Sequence, residues 1–186
     1  MILEVAGKRK AINLFLFLIV IAFCFVVLKS VNYADETIEK EEKALSWLPY
    51  EQALAKSKIE NIPTLLYFYS DNCGWCRKFE EETLANKEVR ELLNKGYALA
   101  KINGNSNQTV MVEGKKFTES RISTEVYQVN AFPTIWFLNY DNERIANLPG
   151  FVPSDMFLPI LIYIRDDFYK KYTFQEFLEL KKNNKK

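Results

Sequence analysis

Histidine is absent from this 186-residue chain. Its absence removes Cys–His and Ser–His catalysis, and with them the zinc and haem sites that take an imidazole. Cysteine is scarce as well. Cys24, Cys73 and Cys76 are the whole set, one short of a four-cysteine zinc site. No charge of one sign dominates: 25 Lys and Arg stand against 24 Asp and Glu, for a net charge of +1. That balance gives no reason to expect nucleic acid or an acidic substrate as a partner. No segment repeats. What is present is ordinary for a folded protein, with 48% apolar and 26% charged residues. The length fits one globular domain plus an accessory segment.

The accessory segment is at the N-terminus. Lys8, Arg9 and Lys10 precede a run from Ala11 to Leu28 whose only polar side chain is Asn13. As a helix this run spans roughly 27 Å, close to the bilayer core of about 30 Å. The basic cluster favours the cytoplasmic side, which places everything after Lys29 outside, in the periplasm or at the outer face of the membrane. Two readings stay open: an anchor through 11–28, or a signal peptide cut after Ala34. Cys24 lies inside the run and reads as an apolar side chain. The organisation expected is an anchor or signal at 1–30, a charged spacer at 31–46, a domain at 47–180 and a disordered tail at 181–186.

Within the domain, the spacing of Tyr50, Ala53, Leu54 and Ile59 predicts a helix over 50–60. Thr64 to Tyr69 is a dense β-branched and aromatic run that suits a strand buried on both faces. Ser70-Asp71-Asn72 makes a turn, and Cys73 to about Asn94 reads as helix, open to interruption at Asn86. A second strand is expected over Tyr97–Ile102, then a polar stretch from Asn103 to Gly114. A short helix follows near Glu119–Tyr127. Ile135–Leu138 and Arg144–Leu148 read as strands joined through Asp141-Asn142. Ser154 can cap a helix reaching about Lys171, and Thr173-Phe-Gln-Glu176 has the form of a capping box. Such an order gives an α/β fold, a mixed sheet with helices on both faces.

Cys73-Gly74-Trp75-Cys76 stands between the buried strand and the helix. Its first cysteine lies where free backbone N–H groups and the helix dipole favour a thiolate, the nucleophile of disulfide exchange. Two intervening residues let the second thiol reach back and resolve a mixed disulfide. Half a zinc site and a static structural disulfide are the competing readings; the strand–CxxC–helix context favours a redox pair over both.

From Trp47 to Ile164 the chain resembles the thioredoxin family. The resemblance is carried by the strand Leu65–Tyr69, the Cys73–Cys76 motif, the segment Val129-Asn-Ala-Phe-Pro133-Thr134, and Gly150. It implies the thioredoxin fold, a cis Pro133 facing the cysteine pair, and a substrate strand held by Phe132, Pro133 and Thr134. Trp47, Tyr50-Glu-Gln-Ala-Leu-Ala-Lys, Ile62-Pro-Thr and Cys76-Arg-Lys-Phe-Glu look like the periplasmic thioredoxin-like proteins. Segment Asn103–Thr118 and the run Phe168-Tyr-Lys-Lys-Tyr-Thr-Phe are similar to thioredoxins associated with bacterial sulfur oxidation. Two departures are visible: Tyr67 holds the place of the buried acid six residues before the first cysteine, and Gly-Trp replaces Gly-Pro between the cysteines. Trp75 reads either as a docking surface or as a partly exposed aromatic. Glu80, Glu81 and Glu82 read as a solvated helix face, with tuning of the cysteine site as the alternative.

The function expected is that of an exported thiol–disulfide oxidoreductase, a dithiol reductase in which Cys73 attacks and Cys76 resolves, without metal or cofactor. Its partners are disulfide-containing clients or small thiols, and a membrane electron-donor protein. A disulfide oxidase or isomerase, or a non-catalytic binding module of this fold, are the alternatives.

Overall fold

The structure is a computed structural model, described here over residues 44–112 and 114–183. The expected anchor or signal at 1–30, most of the spacer and residues 184–186 lie outside the described residues. Among the described residues, no helix is long and apolar enough to cross a membrane.

Strand β2 (Thr64–Tyr69) is the centre of the fold. Its side chains alternate between two faces, and both faces are covered, so the strand reads as one continuous apolar run. Leu65 and Tyr67 join a cluster with Phe79, Leu93, Tyr97, Phe137, Phe157 and Leu161. Leu66 and Phe68 join another with Tyr50, Ala53, Ala100, Ile102, Ile122 and Tyr127. β3 (Ala98–Asn103) runs parallel to β2, and β1 (Trp47–Leu48) parallel to β3. β6 (Thr134–Leu138) pairs antiparallel with β2, and β7 (Arg144–Pro149) antiparallel with β6. The sheet order is therefore β1-β3-β2-β6-β7, with β4 (Thr109–Val112) and β5 (Lys115–Thr118) forming a separate hairpin.

Helices cover each face. α1 (Tyr50–Glu60) and α4 (Glu119–Arg121), which continues as a π-turn over Ile122–Val126, pack on the Leu66 side. α2 (Gly74–Lys78), α3 (Lys87–Gly96) and α5 (Ser154–Arg165) pack on the Tyr67 side. α2 runs on as a π-helix over Phe79–Leu84, and its wider pitch shows in the bond from Ala85 N–H to Glu80 C=O. Asn86 then interrupts the path as expected: its side chain accepts from Val89 N–H at 3.2 Å and caps α3.

Four expectations need correction. The polar stretch after Asn103 is not a plain loop: Val110, Val112 and Phe117 of the β4–β5 hairpin pack on the Leu66-side cluster, while its polar residues face outward. Ser154 does not cap α5, whose N-cap is Pro153 with no side-chain bond. That helix also stops at Arg165 rather than Lys171, because Asp167 adopts a left-handed conformation (φ 57°) before a single 3₁₀ turn at Phe168–Lys170. The capping box at Thr173 forms, with Thr173 N–H donating to Glu176 at 2.8 Å and Glu176 N–H to Thr173 Oγ1 at 3.3 Å. It opens α6 (Phe174–Asn183), so Lys181, Lys182 and Asn183 are helical and not part of a disordered tail.

Gly104, just past β3, shows how closely the sheet end is packed. Its N–H donates to Tyr69 C=O at 2.8 Å, and a Cβ at this position would lie 2.1 Å from Phe132 Cζ. The Phe132 ring is packed against both core clusters and has little room to retreat. Gly104→Ala is expected to cost about 1–3 kcal/mol of stability by overpacking. Denaturant unfolding of the oxidised chain measures it, and a loss below about 0.5 kcal/mol, the scale of a neutral surface change, contradicts the close contact.

Candidate active site

The end of β2 delivers the chain to the cysteines through a pinned turn. Cys73 N–H donates to Ser70 C=O at 3.1 Å. From the neighbouring strand end, Asn105 Nδ2 donates to Ser70 Oγ at 2.9 Å and Asn103 Nδ2 to the Asp71 carboxylate at 2.8 Å. Cys73 is thereby held at the N-cap of α2, where its sulfur accepts from Cys76 N–H at 3.0 Å. The two cysteines form a disulfide, with Cα atoms 5.2 Å apart. Cys76 is only 2% exposed and belongs to the Tyr67-side core. Cys73 is partly exposed at its edge. The pair is asymmetric, one sulfur open to a partner and the other enclosed.

Pairing of β2 with β6 brings the second element to the same place. Phe68 lies opposite Thr134, so the residues just before Thr134 come beside the end of β2 that leads to Cys73. The Phe132–Pro133 peptide is cis, as the resemblance implies. Pro133 C=O accepts from Gly150 N–H at 2.7 Å, with Gly150 at φ +87°, a conformation glycine adopts without strain. Thr134 is buried, and its hydroxyl donates to Ala131 C=O at 2.7 Å, fixing the bend. Among the described residues no hydrogen bond engages the Phe132 backbone.

Trp75 stands apart from this packing at 59% exposure. Its ring leans on Phe151 with centroids 5.9 Å apart. Phe151 is placed by the loop after β7, which is tied to the helix by Thr83 Oγ1 donating to Val152 C=O at 2.7 Å.

A polar cluster lies beneath Cys76. The Tyr67 hydroxyl is directed at Glu80 Oε1 (3.2 Å) and at Cys76 C=O (3.4 Å). Lys101 Nζ donates to the same Glu80 oxygen at 2.8 Å and sits 4.1 Å from the centroid of the Tyr69 ring. Glu80 is thus half-buried and bonded to its neighbours, whereas Glu81 and Glu82 are exposed. The sequence held two signals for it. Glu80 lies one turn beyond Cys76, and Lys101 is the one charge in a buried strand, in direct register with Tyr67. The helix thus places a carboxylate against the hydroxyl of Tyr67. Among the described residues no group of three acidic or cysteine side chains is placed to hold a metal ion.

Burial first, and the Glu80 carboxylate second, hold the Tyr67 hydroxyl protonated well above its ordinary value of 10.0. The unfolded chain releases this proton from about pH 10, and the folded chain keeps it. The stability that neutral Tyr67 contributes is therefore complete below pH 10 and is lost as pH rises, by up to about 1.4 kcal/mol per pH unit. Unfolding of the oxidised chain between about pH 9 and 11 should show a shallower decline in Tyr67→Phe than in the native sequence. Identical slopes contradict the buried neutral phenol.

The family described as a thioredoxin-like domain matches residues 50–165, more than half of the chain. Disulfide bond reductase DsbH of Chlamydia pneumoniae is 27% identical over 112 residues, 59% of this chain and 65% of that protein. Thiol:disulfide interchange protein DsbD of Vibrio cholerae is 31% identical over 110 residues, 58% of this chain but 17% of that protein. The chain thus spans less than two thirds of either relative. A thioredoxin-fold protein from Helicobacter pylori superposes with a TM-score of 0.58 at 23% identity, over 67% of this chain and 86% of that one, which shows the shared fold. With the strand, the cysteine pair and the cis-proline bend in register, the chain belongs to the thioredoxin-like family.

Proposed function

We propose that the chain is an exported thiol–disulfide oxidoreductase working as a dithiol reductase of protein or small-molecule disulfides. One observation carries the reading: a partly exposed Cys73 bonded to an enclosed Cys76, with the Cys76 N–H aimed at the Cys73 sulfur. In the reduced chain that N–H stabilises a Cys73 thiolate. The thiolate attacks a client disulfide, releases one client thiol and leaves Cys73 joined to the other. Cys76 then attacks the Cys73 sulfur and frees the second thiol. Cys76 must lose its proton inside the core, and Glu80, fixed by Tyr67 and Lys101, is the acceptor we assign to that step. The open Phe132 backbone pairs with the client strand beside Pro133 and Thr134, and Trp75 offers the client an apolar face.

The reducing direction is favoured by the absence of histidine, since the imidazole that strong oxidants of this fold often place between the cysteines is missing. The name of the DsbH relative, a disulfide bond reductase, points the same way. Export rests on Lys8-Arg9-Lys10 ahead of the apolar run 11–28. Electrons for a reductase placed there come from a membrane electron-donor protein.

The cysteine roles are tested by trapping. Cys76→Ser in the full-length chain should accumulate mixed disulfides with client proteins, visible on non-reducing gels, and Cys73→Ser should accumulate none. Equal trapping by both variants contradicts the assignment.

A further inference from the structure

Two cations lie over the residues between the cysteines. The Arg77 guanidinium folds back toward Gly74, its Nη2 3.9 Å from where a Gly74 Cβ would stand. Lys78 Nζ sits 5.2 Å from the centroid of Trp75 and 4.9 Å from that of Phe151, held against both rings. Neither has a carboxylate partner among the described residues. Glu80 is paired instead with Lys101, and neither Glu81 nor Glu82 forms an ion pair with Arg77 or Lys78.

We propose that the site selects disulfides carrying carboxylate groups close to their sulfurs, and that Arg77 and Lys78 make the selection. The proposal rests on the reductase reading of Cys73 and Cys76. In one turnover the two cysteine thiols give two electrons and two protons to the substrate disulfide. One S–S bond breaks in the substrate, one forms between Cys73 and Cys76, and two carboxylated thiols leave. As Cys73 attacks, the carboxylates approach the unpaired guanidinium and ammonium, and the apolar part of the substrate rests on Trp75 and Phe151.

The test uses the full-length chain carrying Cys24→Ser, purified in neutral detergent, reduced with a dithiol and freed of it. It is mixed with 3,3′-dithiodipropionate (anionic), bis(2-hydroxyethyl) disulfide (neutral) and cystamine (cationic), and thiol loss is followed by alkylation and mass. Each rate is divided by the rate of the same disulfide with dithiothreitol, which removes the intrinsic reactivity of the substrate. Comparing substrates on one protein removes the effect of the two cations on Cys73 itself. The normalised rate should be about tenfold higher for the anionic than for the cationic disulfide at low ionic strength. It should fall toward unity near 1 M salt, where screening acts within about 3 Å. Arg77→Gln with Lys78→Gln should abolish the preference, and Lys78→Arg should keep it. A native ratio near or below one, or a preference unchanged in the double variant, overturns the proposal. Failure of all three disulfides to react overturns the reductase reading together with the selectivity built on it.

Discussion

Strand β2 has to be covered on both faces, and the site inherits its geometry from that requirement. Leu65, Leu66, Tyr67 and Phe68 are all fully buried, so helices must pack on either side of the strand and other strands along both its edges. With β3 on one edge and β6 on the other, the end of β2 is fixed relative to both neighbours. The chain leaves that end through a hydrogen-bonded turn and presents Cys73 at the start of the next helix. The antiparallel partner brings the cis-proline bend to the same end. Burial of one strand thus sets the cysteine pair and the bend beside each other.

The same burial creates the polar cluster. A phenol at position 67 points into the Tyr67-side core, where its hydroxyl needs a partner, and Glu80 provides one. Glu80 in turn carries a charge that Lys101 balances from the adjacent strand. The three groups form a connected set beside the Cys76 backbone, each satisfied by another. Such a set is costly to break at a single member, because the remaining charge or hydroxyl would be left without its partner.

Elements whose burial is periodic were legible from the sequence. The helix over 50–60, the strand at 64–69, the break at Asn86 and the capping box at Thr173 were marked by residues that make those features locally, although Ile59, counted on the helix's apolar spacing, is 80% exposed. Pro133 was legible through the family resemblance. The β4–β5 hairpin was not, because its polar residues face outward and only Val110, Val112 and Phe117 record its contact with the core. Glu80 was hidden for another reason. Three consecutive glutamates look alike in sequence, and the one that turns inward is chosen by Lys101 and Tyr67, which come from elements far away along the chain. The stop of α5 at Arg165 was missed because a left-handed Asp167 leaves little local signature.

Function joins these points in one couple, the Cys73–Cys76 dithiol and its disulfide. Stabilising the Cys73 thiolate too strongly would make the disulfide a strong oxidant, and no imidazole is present to do so. The Glu80 carboxylate is held by Tyr67, whose hydroxyl lies 3.4 Å from Cys76 C=O. The missing imidazole supports the proposal that the couple gives electrons away. The most direct measurement is the reduction potential of the full-length chain, equilibrated with dithiothreitol or glutathione buffers and read by alkylation of Cys73 and Cys76. The account predicts a value nearer the thioredoxin end, about −270 mV, than the strong-oxidant end at about −120 mV. A potential at the oxidant end, or a pair that does not titrate in either buffer, would contradict it.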